Sequence, residues 1–274
     1  MAYRELGQGR PIVFLHGNPT SSYLWRHVLP ALTHRGRCLA PDLVGMGASD
    51  KLPDSGPGSY RFIEHRAYLD ELLESLGIAD DVVLVAHDWG GVLAMDWARR
   101  HPRAVAGIAY LETIVWPTTW QTAGAPDREL FEALRSDQGE SLVLTTDVFL
   151  DAVLAHAFLE PLDDVDAAAY RAPYLEPGES RRPILTWTRE VPIEGRPADV
   201  ATIVRANARW MAQSSVPKLL VSAEPGAVLV GPALQRCRSW PNQVEATVTG
   251  AHFLPEDAPV ELTAALELWL AGLS

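Results

Sequence analysis

Asp88 stands where a predicted strand turns sharply into a predicted helix. The apolar run 82–86 precedes it and ends in a small residue, Ala86, while Gly90 and Gly91 follow it. A strand-to-helix turn of this kind has no room for large side chains beside its apex. It also presents the apex side chain at the carboxyl edge of the sheet, where open α/β sheets bind their ligands. Because such turns usually carry a serine nucleophile, the pattern predicts a nucleophile at Asp88.

An aspartate at this position predicts a different reaction from that of a serine. A serine hydroxyl must lose a proton before it attacks, whereas a free aspartate, with a pKa of roughly 4, is already ionised at neutral pH. A carboxylate can displace a good leaving group from saturated carbon or open an epoxide, and either reaction leaves an alkyl ester on Asp88. The competing interpretation is that Asp88 caps the following helix, which is the commoner role when such an aspartate is considered alone. The flanking small residues and the partners described next favour the nucleophile.

A histidine near the end of the chain is a candidate base for hydrolysis of such an ester. His252 follows the last predicted strand, and its position fits the chain order nucleophile, acid, histidine of the α/β hydrolases. Two carboxylates are candidates for orienting it, because Glu112 and Glu224 each stand at the carboxyl end of a predicted strand. Residue type and position do not choose between these two acids.

Two neutral donors accompany these groups. Asn18 lies in a turn after the first apolar strand, where backbone N–H groups can be aimed at an oxyanion, and its side-chain amide can donate as well. Trp89, next to the nucleophile, adds an indole N–H that can only donate. Donors of this kind would stabilise a departing halide without a cation that retains it. The competing interpretations are an ordinary Asn-Pro turn and a tryptophan that only packs in the core.

The predicted elements bring these residues to one edge of a sheet. Short apolar runs at 11–15, 37–41, 82–86 and 105–111 alternate with helical patterns at 21–32, 60–76 and 91–100, which is typical of a parallel α/β sheet. Strand patterns stop after Glu112, and proline-separated helical pieces occupy 116–197. The alternation of helices and strands then resumes, with a helix at 198–213, strands at 218–222 and 245–248, and a helix at 258–273. We therefore expect a core domain, 1–115 and 198–274, with an inserted helical cap, 116–197.

Composition limits the function classes. The 274 residues are 47% hydrophobic and 21% charged, which is enough for a large folded core. Lysine plus arginine number 23 against 35 acidic residues, and the net charge of −12 makes a nucleic-acid partner improbable. The two cysteines, Cys38 and Cys237, provide neither a disulfide scaffold nor a four-cysteine zinc site, and they fit a reducing, cytoplasmic compartment. No apolar run reaches membrane-spanning length, no histidines show the HExxH metal spacing, and we expect no metal.

The combination of motifs resembles the haloalkane dehalogenases of the α/β-hydrolase superfamily, in particular the subfamily typified by the hexachlorocyclohexane-degrading dehalogenase. The similarity runs almost end to end. The motifs that carry it are HGNPTSSYLWR at 16–26, DLVGMGASDK at 42–51, HDWG at 87–90, GIAYLE at 107–112, AEPGA at 223–227, WPNQ at 240–243 and GAHF at 250–253.

The resemblance implies a role for each candidate residue. It implies Asp88 as nucleophile, His252 as base and Glu112, rather than Glu224, as the acid. It implies that Asn18 and Trp89 bind the halide and that their backbone N–H groups form the oxyanion hole. It also implies a small apolar halogenated substrate, with halide and water as the other partners and no cofactor. In the cap, it implies an apolar pocket lined by Phe131, Phe149 and Trp187.

The chain departs from the family pattern at its N-terminal edge and, in ways that affect the expected pocket shape, at Gly91 and Thr188. Family members usually have an additional edge strand before the position of Met1, so we expect a shortened N-terminal edge of the sheet. Thr188 follows Trp187 where a proline is common, which affects the expected pocket shape but not the reaction type. A homo-oligomer is compatible with the sequence.

Other functions share parts of this machinery. An epoxide hydrolase uses the same fold, an aspartate nucleophile and a histidine base, and it needs cap tyrosines to protonate the epoxide oxygen. Tyr170 and Tyr174 are the candidates for that role. A cofactor-free luciferase-like oxygenase shares the triad, and a non-catalytic small-ligand receptor on the hydrolase fold is the third alternative. Asn18 and Trp89 suit a departing halide better than they suit an epoxide, and the presence of all five expected site residues makes the receptor the least favoured alternative.

Overall fold

A seven-stranded sheet forms the centre of the protein, in a computed structural model that describes residues 1–121 and 128–273. The strands lie in the order β1-β3-β2-β4-β5-β6-β7, with β1 antiparallel to β3 and the other neighbours parallel. Their bounds are β1 Tyr3–Leu6, β2 Pro11–Leu15, β3 Arg37–Pro41, β4 Val82–His87, β5 Val105–Leu111, β6 Lys218–Pro225 and β7 Gln243–Gly250. The order reverses between β2 and β4, so the loops after these two strands border the crevice where α/β sheets bind ligands.

Helices cover both faces of the sheet, which explains why β2 and β4 are apolar along most of their length. The helices before β5 and from α8 onwards are α1 Phe62–Ser75, α2 Trp89–Arg100, α8 Ala198–Gln213, α9 Gly231–Arg238, α10 Leu254–Asp257 and α11 Pro259–Ala271. Between β5 and α8 lie α3 Arg128–Arg135, α4 Gln138–Glu140, α5 Val148–His156, α6 Asp164–Arg171 and α7 Arg182–Glu190, together with a π-helical turn, Ser141–Thr145, and 3₁₀ turns at Ala172–Tyr174 and Glu179–Arg181. Among the described residues, no helix is both long enough and apolar enough to cross a membrane.

Two hydrophobic clusters pack against the sheet, one on each face. The first contains side chains of α1, of α2 (including Trp89) and of α8, and it also contains Phe149 and Trp187 from the stretch between β5 and α8. The second lies against α11 and the segment that follows β2. The division into a core and a cap at 116–197 stays a prediction, and residues 122–127 of that predicted cap lie outside the described residues.

The helix predicted at 21–32 is wrong. Two 3₁₀ helices, Ser22–Trp25 and Leu29–Leu32, occupy this stretch instead. The Ser21 side chain accepts a hydrogen bond from the backbone N–H of Tyr23 and starts the first of them. Pro30, which has no N–H to donate, lies in the second and cannot support a continuous α-helical ladder. The apolar spacing that suggested one helix is still used, because Leu24, Leu29 and Leu32 are buried.

Helix α2 begins in close contact with the two strands beside β4. A Cβ atom on Gly90 would lie 2.3 Å from the carbonyl oxygen of Leu15 and 2.6 Å from that of His16. One on Gly91 would lie 2.1 Å from the Thr113 Oγ1 atom. Glycine is therefore needed at both positions because backbone and a buried side chain approach closely, and this contact fixes where the turn at Asp88 sits.

Replacing Gly90 with alanine should destabilise the fold. Helix propensity alone would make this change stabilising by about 1 kcal/mol, but overpacking against two backbone oxygens, which cannot move aside as a flexible side chain can, should cost about 3 kcal/mol. Gly56→Ala is the matched control, because a Cβ atom there meets nothing within 4 Å and the backbone is not left-handed. Urea unfolding of both variants measures the difference in free energy of unfolding. Equal stability of the Gly90 and Gly56 variants would contradict the close-packing argument.

Candidate active site

Asp88 is held at the apex of the turn between β4 and α2 in a strained backbone conformation. Its φ of 51° lies in the left-handed region, which non-glycine residues rarely adopt. The Thr113 hydroxyl donates to the Asp88 carbonyl oxygen at 2.6 Å and fixes this geometry. The side chain makes no capping hydrogen bond to α2 within the described part of the chain. It points instead towards Gly17, where a Cβ atom would lie 2.0 Å from Oδ1.

Backbone donors surround the Asp88 carboxylate. The backbone N–H of Asn18 donates to Oδ1 at 2.8 Å, and the nearby backbone N–H of Trp89 also favours the ionised form of the carboxylate. Burial raises the pKa of Asp88, while the nearby His252 and these two N–H groups oppose that rise. Two N–H groups aimed at one carboxyl group can stabilise negative charge that develops on its oxygen during a reaction.

His252, on the loop after β7, lies between two carboxylates. Its Nε2 atom is 3.7 Å from Asp88 Oδ2, and its Nδ1 atom is 3.6 Å from Glu112 Oε2. Burial by itself would lower the pKa of His252, but the interactions with Glu112 and Asp88 outweigh burial and raise it. Both distances exceed those of ordinary hydrogen bonds, as is common for catalytic contacts before a substrate is bound. The ring can therefore take a proton on the Asp88 side while Glu112 steadies it from behind.

The backbone around His252 is fixed from three sides. Its N–H donates to the carbonyl oxygen of Ala157 at 3.2 Å, and its own carbonyl oxygen contacts His87 Nε2 at 2.9 Å. Burial lowers the pKa of His87, so this ring is neutral and can donate from Nε2. The neighbouring Ala251 N–H donates to Asp257 Oδ2 at 2.7 Å. The sequence analysis did not predict this contact of Asp257. The sequence signal for it was weak, because Asp257 is simply an acidic residue at the start of the C-terminal helical region.

Glu112 is the carboxylate beside His252. It follows β5 with a φ of 40°, and it is completely buried. Its oxygens accept from three consecutive backbone N–H groups, Ala227 at 3.0 Å, Val228 at 2.6 Å and Leu229 at 3.3 Å. These donors compensate the burial of a carboxylate that would otherwise be unsatisfied. Glu224, the other candidate acid, is exposed near the end of β6.

Helix α7 covers the side chains of Asn18 and Trp89. The Asn18 Nδ2 atom donates towards the carbonyl oxygen of Ile184 at 3.2 Å and towards Thr188 Oγ1 at 3.3 Å. The indole of Trp89 is buried and stacks on Trp187, with ring centroids 4.5 Å apart and planes at 29°. Both predicted halide donors therefore lie under one helix of the predicted cap.

The three predicted pocket residues differ in their surroundings. Phe149 and Trp187 are buried in the same hydrophobic cluster as Trp89, whereas Phe131 is half-buried on α3. Contact of these three side chains with a substrate stays a prediction.

Of the two tyrosines proposed for epoxide chemistry, Tyr170 is bonded elsewhere, whereas the buried Tyr174 hydroxyl has no hydrogen-bond partner among the described residues. Tyr170 donates to the carboxylate of Glu256. Burial raises the pKa of the Tyr174 phenol, with further contributions from Asp42 and Tyr60. Across residues 1–121 and 128–273, neither hydroxyl has a hydrogen bond to Asp88.

A metal site finds little support in the surroundings of its candidate ligands. The described residues contain one group with metal-ligand spacing, His27, Asp166 and Glu256, whose ligand atoms lie within 4.8 Å of one another. Arg26 already pairs with both carboxylates, so their charge is compensated without a metal cation.

A surface groove of about 300 Å³ lies beside Arg4, Tyr23 and Asp42, and none of the five predicted active-site residues lines it.

Comparison with known proteins identifies the family. Residues 10–259 match the family described as alpha/beta hydrolase fold. The chain is 53% identical over 273 residues to a haloalkane dehalogenase of Sphingobium indicum, which covers all of this chain and 92% of that protein.

The chain belongs to the haloalkane dehalogenase family.

Other dehalogenases extend the same similarity. A haloalkane dehalogenase of Mycolicibacterium smegmatis is 47% identical over 97% of this chain and 86% of that protein. The crystal structure of the haloalkane dehalogenase DbeA from Bradyrhizobium elkani superimposes with a TM-score of 0.92 at 40% identity, covering 99% of this chain and 94% of that one. The family and the α/β-hydrolase fold expected from the sequence are confirmed.

The pKa of His252 should report which acid lies beside it. Because Glu112 raises that pKa, Glu112→Gln should lower it. The matched substitution Glu224→Gln should leave it unchanged, since that side chain is exposed. Titration of the His252 ring by NMR measures both. A fall in the Glu224 variant with none in the Glu112 variant would reverse the assignment.

Proposed function

We propose that the protein hydrolyses carbon–halogen bonds of halogenated alkanes to an alcohol, a halide ion and a proton, through an alkyl ester of Asp88. The observation that carries the proposal is the buried carboxylate of Asp88 at the strained turn, with His252 Nε2 at 3.7 Å and Glu112 behind that ring at 3.6 Å. Membership of the haloalkane dehalogenase family supports the same reaction.

The first step is displacement at carbon. An oxygen of Asp88 attacks the carbon opposite the halogen, a carbon–oxygen bond forms, and the carbon–halogen bond breaks with its electron pair leaving on the halide. The burial that raises the pKa of Asp88 also keeps its carboxylate poorly hydrated, which favours attack. Trp89 and Asn18 donate from their side chains to the halide, and their neutrality lets the ion leave again.

The second step is hydrolysis of the ester. His252 removes a proton from water, the water oxygen attacks the ester carbonyl carbon, and the backbone N–H groups of Asn18 and Trp89 hold the oxyanion. The tetrahedral intermediate then collapses, the departing alkoxide takes the proton held by His252, and the Asp88 carboxyl group releases its remaining proton to solvent, which regenerates the carboxylate. The negative charge of Asp88 contributes to the raised pKa of His252. Esterification removes that charge, so the pKa of His252 falls when a neutral base is needed.

Epoxide hydrolysis is less well supported by the same site. It needs an acid to protonate the epoxide oxygen, and Tyr170 is bonded to Glu256, which is also paired with Arg26. The indole and amide donors beside Asp88 suit a halide that leaves as an anion.

The predicted partners follow from this reaction. They are a small apolar halogenated substrate, the halide ion and water, and the pocket wall includes Phe131, Phe149 and Trp187. We place the protein in the cytoplasm because its two free cysteines are buried and unpaired with one another.

Turnover in heavy-oxygen water should label Asp88. Water attacks the ester carbonyl, so one oxygen of the regenerated carboxylate comes from solvent while the first alcohol carries an oxygen from the protein. Mass spectrometry of the peptide containing Asp88 after many turnovers measures the label. Asp88→Ala should release no halide, and it controls for adventitious hydrolysis. An unlabelled peptide after many turnovers would exclude the ester.

Removing the base should separate the two steps. His252→Phe should release about one equivalent of halide per protein and then stop, because the ester forms but no group activates water. The trapped adduct should add the mass of the alkyl group to the protein. The matched variant His27→Phe changes an exposed histidine and should turn over normally. Continued turnover in His252→Phe would show that another group is the base.

A further inference from the structure

The side chain of Asn18 is tied to helix α7 by one of its two N–H bonds. Its nitrogen has two acceptors, Ile184 O at 3.2 Å and Thr188 Oγ1 at 3.3 Å. These acceptors are only 2.8 Å apart, because the Thr188 hydroxyl donates to Ile184 O within the helix. They therefore lie on the same side of the nitrogen. The two N–H bonds of an amide point about 120° apart, so one N–H is shared by both acceptors.

The other N–H of Asn18 has no acceptor among the residues that the structure describes. Ile184 O and Thr188 Oγ1 are the hydrogen-bond partners of this nitrogen across residues 1–121 and 128–273. Asn18 Oδ1 is buried and has no hydrogen-bond partner in the same part of the chain. The backbone N–H of Asn18 bonds Asp88 at 2.8 Å, so the amide is carried by the residue that contacts the nucleophile.

The Thr188 hydroxyl determines which end of the amide faces the helix. Its proton is committed to Ile184 O, so Oγ1 presents only lone pairs to Asn18. If the amide were rotated by half a turn, Oδ1 would face two acceptors and no donor. That arrangement would leave buried oxygens opposed and unsatisfied. Thr188 therefore favours the orientation in which the amide has a free N–H.

We propose that Thr188 is a positioning residue that orients the Asn18 amide for the leaving halide. The inference rests on the proposed function, because it assigns the free N–H to the halide. Thr188 does not contact the reacting atoms, and it acts by holding the first N–H so that the second can donate. Helix α7 thereby sets the strength of halide binding.

The consequence should depend on the halogen. Chloride is the poorest leaving group of the common halides and relies most on donated hydrogen bonds, whereas iodide relies on them least. A loosely oriented amide should therefore slow chloroalkanes more than iodoalkanes. A general disturbance of the pocket would instead slow the reaction of chloroalkanes and iodoalkanes to a similar extent.

Thr188→Val tests this, because it removes the hydroxyl while keeping the side-chain shape. We expect kcat/KM to fall about tenfold for 1-chlorohexane and about twofold for 1-iodohexane, and the bromide inhibition constant to rise several-fold. Thr188→Ser, which keeps the hydroxyl, should restore the wild-type ratio between halogens. Thr186→Val makes the same chemical change at another buried threonine of α7, one with no hydrogen bond to Asn18 across residues 1–121 and 128–273.

The outcomes separate the inference from the function on which it rests. If the wild-type protein releases no halide from any of the haloalkanes, the proposed function fails. If it does, equal losses across the halogens, or an unchanged bromide constant in Thr188→Val, would overturn the role of Thr188. In an Asn18→Ala background, Thr188→Val should have no further effect on the halogen ratio. An additional loss there would also overturn it, because Thr188 would then act by another route.

Discussion

The site depends on keeping one negative charge out of water without losing it to protonation. Asp88 is buried, and burial raises its pKa, so the surrounding groups must favour the ionised form. Two backbone N–H groups and His252 supply that compensation. All three are held in place by the sheet, because Asn18 follows β2, Trp89 begins α2 and His252 follows β7. Because the strand order reverses between β2 and β4, donors that follow separate strands can meet at the two carboxylate oxygens of Asp88.

Backbone strain is the second requirement, and it occurs at two carboxylates rather than one. Asp88 and Glu112 both have positive φ at the carboxyl ends of adjacent strands. Each turn is stabilised by contacts made elsewhere, the first by Thr113 and the glycines of α2, the second by the N–H groups that follow β6. The two strained turns place the carboxylates of Asp88 and Glu112 on opposite sides of the His252 ring.

Local patterns were sufficient to predict most of the sheet and the turn at Asp88. Apolar runs mark buried strands, and β2, β3 and β5 begin and end where those runs do. The choice between Glu112 and Glu224 was out of reach of such reasoning, because both stand at strand ends and only the loop at 227–229 distinguishes them. The contact of Asn18 with α7 joins residues far apart in the chain, as does the clamp of His87 and Asp257 on the His252 loop. Spacing along one segment carries no information about contacts of this kind.

The support of Glu112 has a consequence for how this protein can diversify. Its carboxylate is held by main-chain amides of residues 227–229, not by their side chains. Substitutions in that loop can therefore remodel neighbouring surfaces while the acid keeps its hydrogen bonds, provided that the path of the backbone is preserved. Evolution or a directed library can sample side chains there at little risk to the Glu112 carboxylate, whereas a deletion in the same loop would remove its support.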